Sequence, residues 1–287
     1  MKKRIKSNPD GNKYILTNEN MWVRKFTAEG ISFVDINKTI KQSDHFVFLE
    51  NEVKNNLQKH TWIDSENYDM RKVLIVSDGY DFSNKHKILA NIPKDVTIIG
   101  VNGSLNKWSI PNRSLNWYLS NNPYEECLHY LPRRNKILPK CIISPRTNHK
   151  FVSSYKGLKY KYYPVNEDGY TTLGKNEIGW QVDDYRNPIC AAIGIAYKFG
   201  AEKICLFCCD DSFETFRDGS EKLENGLYQY PQQRTAHGLI DGLFYWLKNH
   251  EYYDFDIVDC SSGKEYDNAT YIKEEGILPF FNKVGEK

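Results

Sequence analysis

The sequence predicts an α/β protein: a doubly wound, mostly parallel sheet preceded by a small mixed subdomain. Three observations predict it. Short β-branched runs recur from Lys72 onward and stop at turn residues. The runs are apolar without in–out alternation, as for strands buried on both faces. Helical stretches lie between several of them, and strands alternating with helices wind into a parallel sheet.

Taken in order, residues 1–70 are the least regular. The short apolar runs Tyr14-Ile15-Leu16, Ile31-Ser32-Phe33-Val34 and His45–Leu49 alternate with polar stretches and suit strands of a mixed N-terminal extension. A boundary is expected near Tyr68–Arg71, which leaves 71–287 as the main domain. There, Val73–Val76 reads as a buried strand entering a turn at Ser77-Asp78-Gly79, and Ser83–Ala90 as a weak helix. Val96–Val101 is a second strand, ending at Asn102-Gly103. Ser114–Leu119 and Lys140–Ile143 are further strands, with a helical stretch Tyr124–Leu131 between them.

Asn187-Pro188 opens a helix, since Asn caps well and Pro suits the first helical position. Ala191, Ala192, Gly194 and Ala196 allow close packing on a sheet, and Gly200 ends the helix. Glu202–Cys209 is a strand reaching Asp210-Asp211. A helix over about Gln232–Asn249 and a strand Phe255–Cys260 follow. Together these elements make a Rossmann-like layout, in which ligands sit beyond the strand C-termini.

Composition narrows the function classes. The chain has 287 residues, room for one large domain or two small ones. Mean hydropathy is low at −0.64, yet 14% of residues are aromatic, and disordered chains are poor in aromatics. Lys and Arg number 39 against 37 Asp and Glu, which argues against a broad electropositive surface for duplex nucleic acid. No apolar run is long enough for a transmembrane segment, and no apolar signal core follows the basic N-terminus. The seven cysteines lie mostly in apolar strand-like segments, which suits reduced thiols and a cytoplasmic location. A homo-oligomer is compatible with all of this.

The strand-end rule picks out the candidate site. Ser77, Asp78 and Gly79 form a small turn after the first sheet strand, where backbone N–H groups often meet a nucleotide phosphate. It holds one glycine and no G-x-G-x-x-G, so an ordinary turn is the alternative. Asn102, Gly103 and Ser104 carry amide and hydroxyl groups that suit a base or sugar, or simply a strand-to-helix turn. Asn122 follows the third strand in the same way. Arg133, Arg134 and Arg146 are candidate phosphate ligands, although a solvated surface is the commoner fate. Asp210 and Asp211 suit Mg²⁺, a ribose diol, or a helix cap. Cys205, Cys208 and Cys209 read as buried small hydrophobes rather than a zinc site, because successive strand residues face opposite ways. His237, at the edge of the stripe Leu239, Ile240, Leu243, Phe244 and Leu247, suits a general base or a structural role.

The segment Ala191–Asp211, a small-residue helix, then Lys203-Ile204-Cys205-Leu206 and an acidic turn, resembles two related groups. One is the bacterial sialyltransferases of the Campylobacter type. The other is the flagellin-modifying motility accessory factors, with archaeal hydroxymethylpterin pyrophosphokinase-like relatives. Val73–Asn106 is similar to them in layout, and the resemblance covers about residues 72–262. It departs at the first loop, where the family's Gly-x-Gly-Pro-Ser-Leu is replaced by Ser77-Asp78-Gly79-Tyr80-Asp81-Phe82.

The resemblance implies a glycosyltransferase that moves a sugar, such as a sialic-acid-like one, from a CMP- or other nucleotide-sugar donor to a hydroxyl acceptor. The family's catalytic base falls on His237, and Tyr228 and Tyr230 fall where the family steadies the leaving phosphate. No cofactor is required under this reading. Two alternatives stand beside it: an Mg–ATP pterin pyrophosphokinase-like enzyme using Asp78, Asp81, Asp210 and Asp211, and a non-catalytic binding or structural member of the fold, viral or part of a larger assembly.

Overall fold

The structure is a computed structural model. It describes residues 5–7, 13–16, 22–25, 61–63, 70–79, 82, 86–132, 137–164, 181–182, 187–210, 220–223, 228–229, 238–245, 249, 255–261 and 266–282. The chain divides into two units, Met1–His45 and Phe46–Lys287. In the first, β1 (Ile5–Ser7), β2 (Lys13–Leu16) and β3 (Trp22–Lys25) pair antiparallel in sequence order. The run Tyr14-Ile15-Leu16 falls in β2. Ile31–Val34 and His45–Leu49 lie outside the described residues.

The second unit is built on one parallel sheet. Its strands are β4 (Thr61–Trp62), β5 (Lys72–Val76), β6 (Thr97–Val101), β7 (Trp117–Ser120), β8 (Lys140–Ile143) and β9 (Lys159–Lys161). Beyond a two-stranded parallel pair, β10 (Tyr163–Pro164) with β11 (Gln181–Val182), come β12 (Lys203–Phe207) and a small antiparallel pair, β13 (Glu221–Lys222) with β14 (Tyr228–Gln229). β15 (Asp256–Asp259) and β16 (Thr270–Tyr271) complete the sheet. The order across its nine strands is β16-β15-β12-β5-β6-β7-β8-β9-β4, with every pairing parallel. The Rossmann-like α/β class expected from sequence is therefore the class found. β4 joins this sheet from the N-terminal side of the expected 70/71 boundary.

Both faces of the central strands are covered, which is why their sequences show no alternation. Val73 and Ile75 of β5, Ile99 and Val101 of β6 and Ile204 and Leu206 of β12 enter one core layer. That layer includes Ile189, Ala192, Ile193 and Ala196 of the helix Pro188–Lys198, and Ile240, Leu243 and Phe244 of helical residues 238–245. Leu74, Val76, Ile98, Cys205 and Phe207 point the other way, against Leu89, Phe151, Ile277 and Phe281. Each fully buried Val, Ile, Leu or Phe among them contributes about 1.5–3 kcal/mol.

The helix Pro188–Lys198 starts as its sequence dictates. The Asn187 side chain accepts from the N–H groups of Ile189 and Cys190 at 2.7 and 3.3 Å, and Pro188 needs no partner there. Gly200, at φ +79°, ends it and returns the chain to the sheet, where the N–H groups of Glu202 and Lys203 both donate to Arg71 O. This return sets β12 beside β5, on the flank opposite β6. The winding direction thus reverses between β5 and β12.

β7 begins later than its sequence suggests. Asn116 already runs along β6, its side chain accepting from Ile98 N at 2.8 Å, while Trp108 Nε1 donates to Arg113 O and holds the preceding segment in a turn. Tyr124–Leu131 is a single 3₁₀ helix, Glu125–Tyr130. The weak helix of the 83–90 stretch is present as His86–Ala90. No described helix is long and apolar enough to cross a membrane.

Candidate functional site

Polar groups are costly to bury, so where they are buried matters. Among the described residues they are Ser77, Ser104, Ser120, Asn121, Ser144, Arg146, Thr147, Asn148, Lys161, Asn187, Asp210, Asp259 and Ser261. All but the helix cap Asn187 lie at, or a few residues past, the C-terminal end of a sheet strand. The polarity of this core is gathered along one edge of the sheet. That edge includes the point between β5 and β12 where a ligand crevice is expected.

The loops at that point are bound to one another. Ser77 N donates to Phe207 O at 3.1 Å and Gly79 N to Cys208 O at 2.9 Å, tying the end of β5 to the end of β12. Cys208 holds φ +53°, uncommon for a residue with a Cβ and costly unless its surroundings enforce it. A Cβ on Gly79 would lie 2.5 Å from Cys208 O and closer still to Asp210 Oδ1. Gly79 is therefore glycine for close approach, and the buried Asp210 carboxylate lies against it.

The β5 loop is also tied to the β6 loop. Asn102 Nδ2 donates to Ser77 Oγ at 3.3 Å, and Gly103 N donates to Asp78 Oδ1 at 3.0 Å. Lys107 Nζ, one turn further on, donates to Asp78 Oδ2 at 3.0 Å and to Asp78 O at 3.3 Å. Asn102 sits at φ +51°, a conformation asparagine tolerates, and its carbonyl accepts from Tyr118 Oη at 3.0 Å. Burial holds the Tyr118 phenol well above its usual pKa range, so it remains a donor. Ser104 Oγ is fully buried and lies against Gly100.

Further along the edge, Asn122 Oδ1 accepts from Tyr124 N at 2.8 Å, and Asn148 N donates to Asn122 O at 3.0 Å. Arg146 is buried, with Nε donating to Asn121 O at 3.1 Å, and Thr147 Oγ1 donates to Ser120 O. The guanidinium expected as a phosphate ligand thus braces the ends of β7 and β8. On the other side, Cys209 N donates to Ser261 Oγ at 2.9 Å and Tyr266 Oη to Cys209 O at 2.8 Å, fixing the segment that carries Asp210.

The structure brings together Ser77, Asp78, Gly79, Asn102, Gly103 and Asp210, with Asn122 on the same edge. Tyr228 is half-buried in β14. His237, Tyr230, Asp211, Asp81, Arg133 and Arg134 lie outside the described residues. All seven cysteines are free and buried, so Cys205, Cys208 and Cys209 are the small hydrophobes expected. Lys107 was missed by the sequence reading. Its signal is positional: a lysine four residues past a loop glycine, on the turn that follows, can reach back to that loop.

No protein-family model and no curated protein sequence matches the chain. Its fold has a solved counterpart. A MAf glycosyltransferase from Magnetospirillum magneticum AMB-1 superposes with a TM-score of 0.59 at 11% sequence identity. The match covers 81% of this chain and 39% of that one, so the chain spans about two fifths of that structure's length. The likeness is one of fold. It agrees with the resemblance to motility accessory factors, while the sialyltransferase and pterin pyrophosphokinase details rest on sequence alone.

Proposed function

We propose that the chain is a glycosyltransferase that transfers a sugar from a nucleotide-sugar donor, CMP-linked by the sequence resemblance, to a hydroxyl of a glycan or protein. The observation that carries this reading is the collection of buried and half-buried polar groups where the winding reverses. The glycosyltransferase with the same fold supports it.

In the proposed reaction His237 takes the acceptor hydroxyl's proton, and the oxygen attacks the anomeric carbon. The bond from that carbon to the phosphate oxygen breaks, and the nucleotide leaves with the electron pair. Tyr228 and Tyr230 donate hydrogen bonds to the departing phosphate. The side chains of Ser77, Asn102 and Asn122 hold the base, ribose or sugar at the strand ends, Gly79 and Gly103 let the loops that carry them approach, and Asp210 borders them.

A metal-free route is favoured over the Mg–ATP alternative by Asp78. Both of its carboxylate oxygens are engaged, one by Gly103 N–H and one by the Lys107 ammonium. A carboxylate neutralised by a lysine is a poor Mg²⁺ ligand.

The test is incubation with CMP- and UDP-sugars, with and without an acceptor, while following release of the free nucleotide. Turnover that His237→Ala reduces by about a hundredfold or more is the expected result, the usual range for losing a general base. No release from any donor, or full activity in His237→Ala, overturns the assignment.

A further inference from the structure

We propose that the N-terminal ends of β8 and β9 form a docking surface for an anionic membrane, with Ile137 and Leu158 entering the headgroup layer among lysines and arginines. Two independent observations carry this: where the chain places its charge, and where it exposes aliphatic side chains. From Cys127 to Asn166 the sequence has nine Lys and Arg and no Asp or Glu, in a chain whose formal charge is only +2. Arg146, Lys150 and Lys161 lie at or past the C-terminal ends of β8 and β9. The other six belong to the opposite end. Lys140 opens β8, Lys159 opens β9, and Lys156 is exposed just ahead of β9. Arg133, Arg134 and Lys136 come within the four residues ahead of Ile137 in sequence.

Ile137 is 98% exposed and Leu158 63%, the highest values among the large hydrophobic side chains described, and the other exposed ones are tyrosines. Their segments lie side by side. Leu158 O accepts from Cys141 N at 2.8 Å, and a Cβ on Gly157 would lie 3.2 Å from Leu138 Cβ. Ile137 also lines a small groove of about 40 Å³ with Trp108, Leu115, Pro132, Leu138 and Pro139, which continues the apolar surface. The Lys140 ammonium lies 5.3 Å from the Trp117 ring and that of Lys159 6.0 Å from the Tyr155 ring, which steadies both charges. One exposed aliphatic side chain is ordinary. Two on adjoining segments, among cations and with no acid in the intervening chain, match an acidic lipid surface: apolar groups enter the acyl boundary while the cations meet lipid phosphates. A soluble polyanion such as RNA would engage the cations and leave Ile137 and Leu158 in water. The candidate site, at the C-terminal ends of the strands, stays uncovered.

Flotation of the full chain with vesicles tests this without donor or acceptor, so the result is separate from whether the protein transfers sugars. Vesicles of phosphatidylcholine alone are compared with vesicles in which about a third of the lipid is phosphatidylglycerol. Binding to the anionic vesicles only, weakening as salt rises, is expected. Lys136→Gln combined with Lys156→Gln should lower the partition about twentyfold, since each charge near the surface contributes about fivefold. Ile137→Ser combined with Leu158→Ser should lower it at least about tenfold with the charge unchanged; the lysine variant decides the matter should this one not fold. No binding to the anionic vesicles, equal binding to both kinds, or binding that either pair of substitutions leaves unchanged overturns the proposal. Binding of single-stranded RNA without binding of vesicles overturns it too, and assigns the cations to a soluble polyanion.

Discussion

Gly79 gives its N–H to the carbonyl of Cys208 at 2.9 Å, and this bond closes the seam where the sheet changes winding direction. The two residues follow β5 and β12, which are neighbours in space and distant in sequence. The approach leaves no volume for a side chain, because the obstacle to a Cβ is the Cys208 backbone carbonyl as well as the Asp210 carboxylate. Gly79→Ala is expected to destabilise the protein by about 1–3 kcal/mol, the range for forced overpacking. Urea unfolding monitored by tryptophan fluorescence measures it, and an unchanged midpoint contradicts the close approach.

Gly200 is glycine for a different reason. Nothing lies within 4 Å of a Cβ built there, but its φ is +79°. Gly200→Ala is therefore expected to cost about 1–2 kcal/mol through backbone conformation alone. Gly200→Asn is expected to cost less, because asparagine tolerates the left-handed region. Thermal unfolding of the two variants, ranked Asn above Ala, checks this; the reverse order contradicts it.

At the other end of the same helix, Asn187 caps two N–H groups. Asn187→Ala is expected to cost about 1.5 kcal/mol, in the upper part of the range for a lost cap because this one is buried. Asn187→Asp retains the acceptor and is expected to hold most of the stability. Equal midpoints for Asn187→Ala and the unmodified protein would falsify the capping role.

The thiols are expected to be silent in the folded state. Burial pushes Cys205 and Cys141 up from the usual thiol range, and the thiolate is the reactive form. At pH 8 a chromogenic disulfide reagent should label almost none of the cysteines in the native protein, then all seven in guanidinium chloride. Rapid native labelling of Cys205 or Cys141 contradicts the packing.

At the opposite edge of the sheet, Lys72 Nζ meets Asp95 Oδ2 at 2.7 Å. The hydrogen bond from Lys72 holds the Asp95 carboxyl below its usual range. A carboxyl depressed on folding adds stability that is full above its unfolded pKa, near 4, and is lost as pH falls through the lower folded value. Asp95 is 60% exposed, so solvent screening limits the pair to about 0–1 kcal/mol. Asp95→Asn should therefore be slightly less stable than the unmodified protein at pH 7 and indistinguishable at pH 2. Molar salt at pH 7 should also erase the difference. A gap that persists at pH 2 assigns the effect to something other than charge.

Much of the second unit was legible because its signals are local. Continuous burial on both faces wrote β5, β6, β8 and β12 as largely apolar runs, and Asn187-Pro188 and Gly200 marked their helix by the backbone angles and caps those residues favour. β9, β16 and the helix Ile277–Asn282 were not read. The two strands are short and lie toward the sheet's edges, where a run of two or three residues carries no pattern.

The candidate site divides along the same line. By itself the sequence determined that Ser77–Gly79, Asn102–Ser104 and Asp210 follow strands, since each closes an apolar run with turn residues. Tertiary structure decided which of these loops meet, because strand order depends on where the chain crosses back, and no short window encodes that. It also decided that Arg146 braces two strand ends from inside the core, and that Asp78 is held by Gly103 and Lys107. A side chain's charge can be read from its letter. Its partner is known only when distant segments have packed.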